Sequence, residues 1–326
     1  MENFNFENRI NITQIVEETM QIRQEIGRVV MGQQDLVDML LVSLLADGHV
    51  LLEGVPGVAK TLTAKLLAQT IDTGFSRLQF TPDLMPSDVV GTNLFNPQQI
   101  KFEFKKGPIF SNIILIDEIN RAPAKTQSSL FEVMEERSVT VDGTTYTMKE
   151  PFMVIATQNP IDHEGTYQLP EAQLDRFLVK LIVDYPTLEQ EVQMLHNLGS
   201  MKNMHNQISS VKRVMSKHSL AALRSVVEQV RVEPNILEFI AKVVGDTRNH
   251  PALFLGASPR ASIAILKASK AWAALSGRDF VTPEDVNRVA CPVLRHRISL
   301  TPEKEMDGVE ADDLIMEILK HHEIPR

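Results

Sequence analysis

Residues 51–61 read Leu-Leu-Glu-Gly-Val-Pro-Gly-Val-Ala-Lys-Thr, and this stretch decides the fold. It joins an apolar run that ends at Leu52 to a helical pattern that begins near Lys60. A glycine-rich turn between a strand and a helix points backbone N–H groups at one spot, and the helix start adds a positive dipole end. The usual phosphate-binding pattern, G-x-x-x-x-G-K-[ST], has glycine where this chain has Ala59. Alanine tolerates helical dihedral angles, so we expect Ala59 to lie already within the helix.

This loop is predicted to hold the phosphates of a nucleotide. Gly54 and Gly57 supply the backbone freedom that such a turn needs. Lys60 would contact the β- and γ-phosphates, and Thr61 would offer its hydroxyl to Mg²⁺. A plain strand–turn–helix corner is the alternative, but a lysine in the first helical turn opposes the dipole by ~0.3–1 kcal/mol, and a polyphosphate removes that conflict. The predicted binding residues are Gly54, Val55, Pro56, Gly57, Val58, Ala59, Lys60, Thr61 and Leu62.

The stretch Ile-Ile-Leu-Ile-Asp-Glu-Ile-Asn at residues 113–120 contains two adjacent carboxylates after an apolar run. Asp117 and Glu118 follow four apolar residues, and carboxylates at the end of a buried strand are costly unless they meet a cation or a polar ligand. The carboxyl ends of the strands line the ligand crevice of an open α/β sheet. We therefore predict that Asp117 faces Mg²⁺ and that Glu118 activates a water for attack on the γ-phosphorus. Two solvated acids at a helix start are the alternative, which the upstream lysine loop disfavours.

Short apolar runs alternate with helical patterns from about residue 49 to 184. Runs that are apolar almost throughout suit strands covered on both faces, and their alternation with helices indicates a mainly parallel sheet. The predicted fold class is α/β, an αβα sandwich around a mainly parallel five-stranded sheet, followed by a small helical lid domain. The predicted strands cover 49–52, 76–81, 112–117, 152–157 and 177–183.

Only helical periodicity remains after residue 184, where four helices are predicted. Ser258 before Pro259 marks the start of one helix, and Thr282 with Asp285 forms the capping box of another. The chain divides into a leading helix and linker at 1–30, a nucleotide-binding core at 31–184 and a C-terminal helical lid domain at 185–326.

Two inserted segments interrupt the core. Asp142-Gly143 stands between β-type residues and predicts a two-residue hairpin turn within 137–148. The insert at 82–110 is expected to hold a short helix or loop and a second hairpin.

Composition excludes several classes of protein. The 33 basic and 42 acidic residues give a net charge of -9, so we expect no general affinity for nucleic acid, which usually attracts a basic surplus. Cys291 stands alone in the sequence and is expected to be buried. Residues 1–14 contain no apolar core of signal-peptide length, and no apolar run approaches the ~18 residues of a membrane span. A cytoplasmic location is expected. The histidines are scattered, and His163, His321 and His322 are expected to be surface residues and not metal ligands.

Five motifs together resemble the MoxR group of AAA+ ATPases, from about Val30 to Leu294. The resemblance implies an AAA+ P-loop core with a helical lid, and it makes alanine before the lysine a usual variant. The motifs are GVPGVAKT (54–61), LIDEINRAPAKTQSSLFEVMEE (115–136), ATQNP (156–160), EGTYQLPEAQLDRF (164–177) and GASPRAS (256–262).

The resemblance also implies roles for single residues. Asn159 matches sensor 1, which senses the γ-phosphate, although the residues alone also suit an Asn-Pro turn. Arg176 matches the arginine finger that reaches the neighbouring subunit's nucleotide, where composition alone favours a local ion pair. Arg260 matches sensor 2, and a cation at a helix start does ask for an anion. Val30, Met31 and Gly32 match the segment beside the adenine.

The implied activity is hydrolysis of ATP with Mg²⁺ by a homo-oligomer, a hexameric ring that remodels or assembles a protein client or inserts its metal cofactor. A separate partner with a von Willebrand factor A domain is also implied. The inserted hairpins would face the ring channel, where Lys101, Phe102, Phe104, Lys105 and Lys106 either touch a client or stay solvated. Three alternatives stay open: a chelatase-like subunit that inserts metal into a porphyrin, a nucleic-acid motor, and a scaffold that binds ATP without turnover.

Overall fold

A computed structural model describes residues 10–55, 57–159, 167–200 and 208–322. Pro56 and His163, named in the sequence predictions, lie outside this part of the chain. The central sheet has five parallel strands in the order β2-β5-β8-β1-β9, which confirms the predicted fold class. These strands are β1 (Val50–Glu53), β2 (Phe75–Gln79), β5 (Ile113–Asp117), β8 (Met153–Gln158) and β9 (Val179–Ile182).

Alternating residues of the central strands enter two different apolar cores, because successive side chains of a strand point to opposite faces. Val50 and Leu52 pack with the helices on one face and with the lid, whereas Leu51 packs on the other face. Ile113 and Ile114 divide between the two cores in the same way. Burial on both faces explains why these strands read as continuous apolar runs.

Helices cover both faces of the sheet. The leading helix is confirmed as α1, and the next helix, α2, was not predicted. The helices of this part are α1 (Thr13–Gly27), α2 (Gln34–Leu45), α3 (Lys60–Thr70), α4 (Pro86–Val90), α5 (Ala124–Glu136) and α6 (Glu171–Leu174).

Both inserted segments form hairpins as predicted. The first follows α4 and pairs β3 (Gly91–Asn96) with β4 (Lys101–Lys106). The second pairs β6 (Ser138–Val141) with β7 (Thr144–Thr147). Its turn residues, Asp142 at φ 46° and Gly143 at φ 77°, both have the positive φ of the predicted turn.

The C-terminal part contains the four predicted helices and further elements that the periodicity missed. Ser258 caps its helix by accepting a hydrogen bond from the backbone N–H of Arg260 at 3.2 Å. Asp285 accepts one from the N–H of Thr282 at 2.8 Å, which completes the capping box. The helices are α7 (Leu188–Ser200), α8 (Lys217–Glu228), α9 (Pro234–Asn249), α10 (Pro259–Leu275), α11 (Pro283–Leu294), α12 (Pro302–Met306) and α13 (Ala311–His321).

The expectation of helices alone in this region is wrong, because a small antiparallel pair joins β10 (Leu253–Leu255) to β11 (Ser299–Leu300). These strands are three and two residues long, too short to show a period. Cys291, expected to be buried, is half-buried, and burial raises its pKa to about 11.

Candidate active site

The glycine-rich loop follows β1 at the carboxyl edge of the sheet and approaches the chain after β9 closely. A Cβ on Gly54 would lie 2.3 Å from the backbone oxygen of Val183, so any side chain there would collide. Gly57 has φ +90°, a conformation that favours glycine, and a Cβ there would point into open space. The two glycines therefore serve different needs, close approach in one case and backbone conformation in the other.

Ala59 is the N-cap of α3 and has φ 60° and ψ 15°, in the left-handed region. The expectation that it lies within the helix with helical dihedral angles is wrong. A left-handed conformation costs a residue with a Cβ about 1–2 kcal/mol. The turn imposes it because Lys60 must begin the helix immediately afterwards, which is why the usual pattern has glycine here.

Lys60 begins α3, and its Nζ donates a hydrogen bond to the backbone oxygen of Gly54 at 2.5 Å. Burial lowers the pKa of Lys60, and the charges of Asp117, Glu53 and Glu118 oppose that shift. The ammonium group therefore lies inside the loop and faces the carboxylates at the ends of the neighbouring strands.

Thr61 and Asp117 lie together as predicted. Thr61 Oγ1 is 3.5 Å from Asp117 Oδ1, and Thr157 Oγ1 is 3.3 Å from the same oxygen. The other oxygen, Oδ2, accepts a hydrogen bond from Arg77 Nε at 2.6 Å. Asp117 thus keeps one oxygen directed toward the loop helix while the second oxygen pairs with a cation.

Glu118 follows β5 in a left-handed conformation, with φ 56° and ψ 52°. Left-handed residues other than glycine are costly and cluster at functional sites. Gln79 Nε2 donates to Glu118 Oε2 at 2.7 Å, and Arg121 Nε lies 3.2 Å from the same oxygen. The backbone N–H of Glu118 donates to Thr157 Oγ1 at 3.1 Å. The carboxylate is therefore held on the side of β2, away from direct contact with Lys60.

Asn159 follows β8, which lies between β5 and β1. It is half-buried at the same carboxyl edge as Lys60 and Glu118. The sheet order therefore brings Asn159 to the edge where the loop and the acidic strand end also lie.

Gly32 lines two clefts. One, of about 360 Å³, is lined by Gly32, Ile182, Asp184 and Tyr185 among others. Ile182 and Asp184 flank Val183, whose backbone lies close to Gly54. The other, of about 580 Å³, is lined by a set that includes Val30 and Met31. The sequence segment expected beside an adenine therefore borders two open clefts.

Arg176 and Arg260 lie together at the opposite edge of the sheet. Arg176 Nη1 donates to the backbone oxygen of Phe131, and its Nε is 3.8 Å from Glu135 Oε2. Arg260 Nη2 lies 3.0 Å from Glu135 Oε1. The neighbouring Leu178 donates to the backbone oxygen of His49, just before β1, which fixes this cluster at the amino edge.

The two edges are separated by the length of the strands. Strands of four to six residues span about 13–20 Å. The structure therefore brings Lys60, Thr61, Asp117, Glu118 and Asn159 to one edge, and it places Arg176 with Arg260 at the other edge.

Sequence analysis missed three polar residues of this site. Gln79 holds Glu118, Arg77 pairs with Asp117, and Thr157 bridges Asp117 and the N–H of Glu118. A signal existed for Gln79 and Thr157, because both stand at the carboxyl ends of predicted strands, where ligand crevices form. No such rule points to Arg77, since its partner depends on β2 pairing with β5.

The residues fit a nucleoside triphosphate with Mg²⁺. The first N–H groups of α3 have no partner within the helix, and the Lys60 ammonium lies inside the loop beside them, on the backbone oxygen of Gly54. Mg²⁺ is usually held by one or two carboxylates together with phosphate oxygens. Asp117 and Thr61 provide such a carboxylate and a hydroxyl. The fold and site define a phosphate-loop ATPase with a helical lid.

Comparison with known proteins places the chain more narrowly. The sequence profile of the ATPase family associated with various cellular activities (AAA) matches residues 49–179, and the profile of the AAA lid domain matches residues 245–318. The chain is 43% identical over 311 residues to the protein named Chaperone MoxR1 of Mycobacterium tuberculosis, covering 93% of this chain and 81% of that protein. It is 47% identical over 302 residues to YeaC of Bacillus subtilis, an uncharacterised protein, covering 93% of each.

A solved structure agrees with these relatives. A crystal structure of a candidate ATPase from Cytophaga hutchinsonii superposes with a TM-score of 0.86 at 40% identity, covering 98% of this chain and all of that one. This chain belongs to the AAA family of ATPases, and within it to the MoxR group.

No helix in the described ranges is both long enough and apolar enough to cross a membrane.

Proposed function

We propose that this protein is a Mg²⁺-dependent ATPase that works as a ring and couples hydrolysis to remodelling, assembly or metal-cofactor insertion of a partner protein. The observation that carries the proposal is the separation of the two groups of site residues. Lys60, Asp117 and Glu118 lie at the carboxyl edge of the sheet, whereas Arg176 and Arg260 lie at the amino edge, on Glu135. A single copy therefore has only part of the site.

Within one copy, the loop binds the phosphates. Lys60 and the N–H groups at the start of α3 neutralise the β- and γ-phosphates, and Thr61 and Asp117 would hold Mg²⁺. The metal, when bound, supplies charge neutralisation at the phosphate oxygens. Glu118 accepts the proton of the attacking water, and Asn159 positions that water.

Glu118 reaches this role by leaving Gln79. Its Oε2 accepts from both Gln79 and Arg121, and an oxygen that is engaged in this way is a poor acceptor for a water proton. The left-handed backbone of Glu118 makes its position sensitive to small movements of the β5 end.

A second copy completes the site. Arg176 and Arg260 share Glu135 at an exposed edge, in a cleft that Glu132 and Glu136 also line. A phosphate therefore receives the charge of the two guanidinium groups only when it replaces Glu135. A neighbour that presents its phosphate loop to this edge would receive that charge, as an arginine finger supplied in trans does. A repeated head-to-tail contact of this kind closes into a ring when the rotation permits.

The inserted hairpins give the ring a surface for a client. Asn93 Nδ2 donates to Asp142 Oδ2 at 2.5 Å, and Phe104 stacks on Tyr146 at 4.3 Å, so the two hairpins form one unit. Phe102 is 70% exposed at the end of this unit. Phe104 instead packs between the hairpins, so of these two phenylalanines Phe102 is the one available to a client.

Mixed assemblies test the proposal. Glu118→Gln removes the proton acceptor and Arg176→Ala removes the finger, so each variant alone should lose about 10²-fold or more in turnover. In an equimolar mixture, about one quarter of the head-to-tail contacts pair an intact Glu118 with an intact Arg176. The turnover of the mixture should therefore rise to about one quarter of the parent's turnover. Native mass measurement of Glu118→Gln with ATP gives the subunit number.

Two outcomes would overturn the proposal. A mixture as inactive as its components refutes a site shared between copies. A Glu118→Gln protein that hydrolyses ATP as fast as the parent refutes the role of Glu118. Strong stimulation by DNA, or by a chelatase subunit, would instead favour a nucleic-acid motor or a porphyrin chelatase.

A further inference from the structure

A buried ionic contact joins the lid to the segment that carries Arg176. Arg297 is almost fully buried and follows the last turn of α11 in the lid, whereas Asp175 lies directly before Arg176 in the core. Arg297 Nε is 2.6 Å from Asp175 Oδ1. We define Asp175, Ser258 and Arg297 as the lid lock.

Every N–H donor of the Arg297 guanidinium is engaged in a hydrogen bond. A guanidinium has five N–H donors, and five hydrogen bonds leave Arg297. They reach Asp175 Oδ1 at 2.6 Å and the backbone oxygens of Asp175 at 3.2 Å, Phe177 at 2.6 Å, Leu178 at 3.1 Å and Val293. Four of the five acceptors lie in residues 175–178, so this segment has one position relative to the lid.

The lock continues to the second arginine. Ser258 Oγ donates to Asp175 Oδ2 at 3.0 Å and accepts from the backbone N–H of Arg260 at 3.2 Å. Asp175 thus holds Arg297 with one oxygen and the start of α10 with the other. Arg176 follows Asp175 in sequence, and Arg260 is the second residue of α10. Both arginine backbones are therefore fixed by the same carboxylate.

The side chains converge as the backbones require. Both guanidinium groups reach Glu135, at 3.8 Å from Arg176 and 3.0 Å from Arg260. Two side chains that begin in different domains need a rigid link to meet on a single carboxylate. Without the lock, the cost of ordering two long side chains would oppose their joint action on any ligand.

We infer that the lid lock positions Arg176 and Arg260 as one two-armed anion-binding unit for the neighbouring copy's polyphosphate. Asp175, Ser258 and Arg297 are positioning residues in this inference, since none of them touches the nucleotide. The inference rests on the proposed function, and it adds that the lid acts in hydrolysis by setting the distance between two arginines.

Ser258→Ala tests the lock with a small change. It removes the hydroxyl between Asp175 and Arg260, and Ser258→Thr restores a hydroxyl. A misplacement of about 1 Å costs catalysis on the order of 10²-fold, so the alanine variant should lose about tenfold to hundredfold in kcat. The dissociation constant for a non-hydrolysable ATP analogue should change far less than kcat, because the phosphate loop lies at the other edge and is untouched. Ser258→Thr should recover kcat.

Ser216→Ala is the matched control. Ser216 is also the N-cap of a lid helix, α8, and accepts from the N–H of Ser219 at 3.0 Å. The Ser216→Ala variant loses a helix cap of the same kind and leaves the lid lock intact, so its kcat should equal that of the parent. A purely structural role for Ser258 would give the two variants the same behaviour and would overturn the inference.

A second comparison separates this inference from the proposed function. Ser258→Ala added to the Arg176→Ala, Arg260→Ala double variant should cause no further loss of kcat, because the lock acts only through those arginines; a further loss refutes the inference. If Arg176→Ala lowers kcat but Ser258→Ala and the isosteric Asp175→Asn both keep the parent value, the lock inference alone is wrong. If Arg176→Ala keeps full turnover, the shared site and the lock inference are both wrong.

Discussion

Replacing Ala59 with glycine should stabilise the protein, which reverses the usual effect of this substitution. Ala59 is left-handed, and relief of that conformation returns about 1–2 kcal/mol. The greater freedom of glycine in the unfolded chain takes back about 0.4–1 kcal/mol. The balance is a gain of roughly 0.5–1 kcal/mol in the free energy of unfolding.

Ala222→Gly provides the comparison. Ala222 is exposed in the interior of α8, where glycine costs about 1 kcal/mol relative to alanine. The same chemical change should therefore shift stability in opposite directions at the two positions.

The assay is thermal and urea unfolding of the parent and both variants without nucleotide. We expect the midpoint of Ala59→Gly to rise by about 1–3 °C and that of Ala222→Gly to fall by a similar amount. Equal destabilisation of both variants would show that Ala59 is helical, as the sequence suggested, and that the left-handed conformation is wrong.

Three further predictions concern other parts of the structure. His49 accepts from the N–H of Val154 through Nδ1, and burial holds its pKa at about 3; stability is therefore complete above about pH 6.5 and falls as the pH drops toward 3, by about 2 kcal/mol at pH 5. Urea unfolding of His49→Gln should show a loss between pH 8 and pH 5 that is about 2 kcal/mol smaller than that of the parent, and an equal loss would contradict the assignment. Gly54→Ala should abolish calorimetric binding of ATP while the helical circular dichroism is retained, since its Cβ would collide with the backbone oxygen of Val183 and displace the loop; retained affinity would refute that geometry. Phe104→Ala should lower the free energy of unfolding by about 1 kcal/mol or more through loss of its ring stack, whereas Phe102→Ala should lower it by less, because that residue is 70% exposed and its ring makes an edge contact with Phe95, and urea unfolding that gave the reverse order would refute the packing of the hairpins.

The sheet and the loop were predictable because their signals are local. Burial on both faces makes the residues of β1, β5 and β8 apolar almost throughout. A tight turn requires residues that tolerate positive φ, such as glycine in the loop and Asp142-Gly143 in the hairpin. Asp117 and Glu118 could be placed at the crevice because the carboxyl ends of parallel strands meet at one edge. The domain boundaries and the roles of the site residues stay predictions.

Residues whose partners lie far away in sequence escaped prediction. Gln79 is 39 positions from Glu118, and Arg77 is 40 positions from Asp117. Each pair exists because β2 lies beside β5, and a local pattern holds no record of which strands are neighbours. α2 was missed because its apolar residues leave little contrast between faces, nearly all of them being buried.

The sequence by itself therefore determined a phosphate loop, an acidic strand end and the layered α/β fold, since each depends on residues close together in the chain. Only the tertiary structure decided that Ala59 is left-handed, because the turn after β1 must deliver the chain into α3 at Lys60. It also decided that Arg260 lies with Arg176 and not with Lys60, since Arg297 is buried against residues 175–178 and fixes the lid at the amino edge. The contacts that set this arrangement join residues 119–122 positions apart in the chain. They form only when the lid packs on the core.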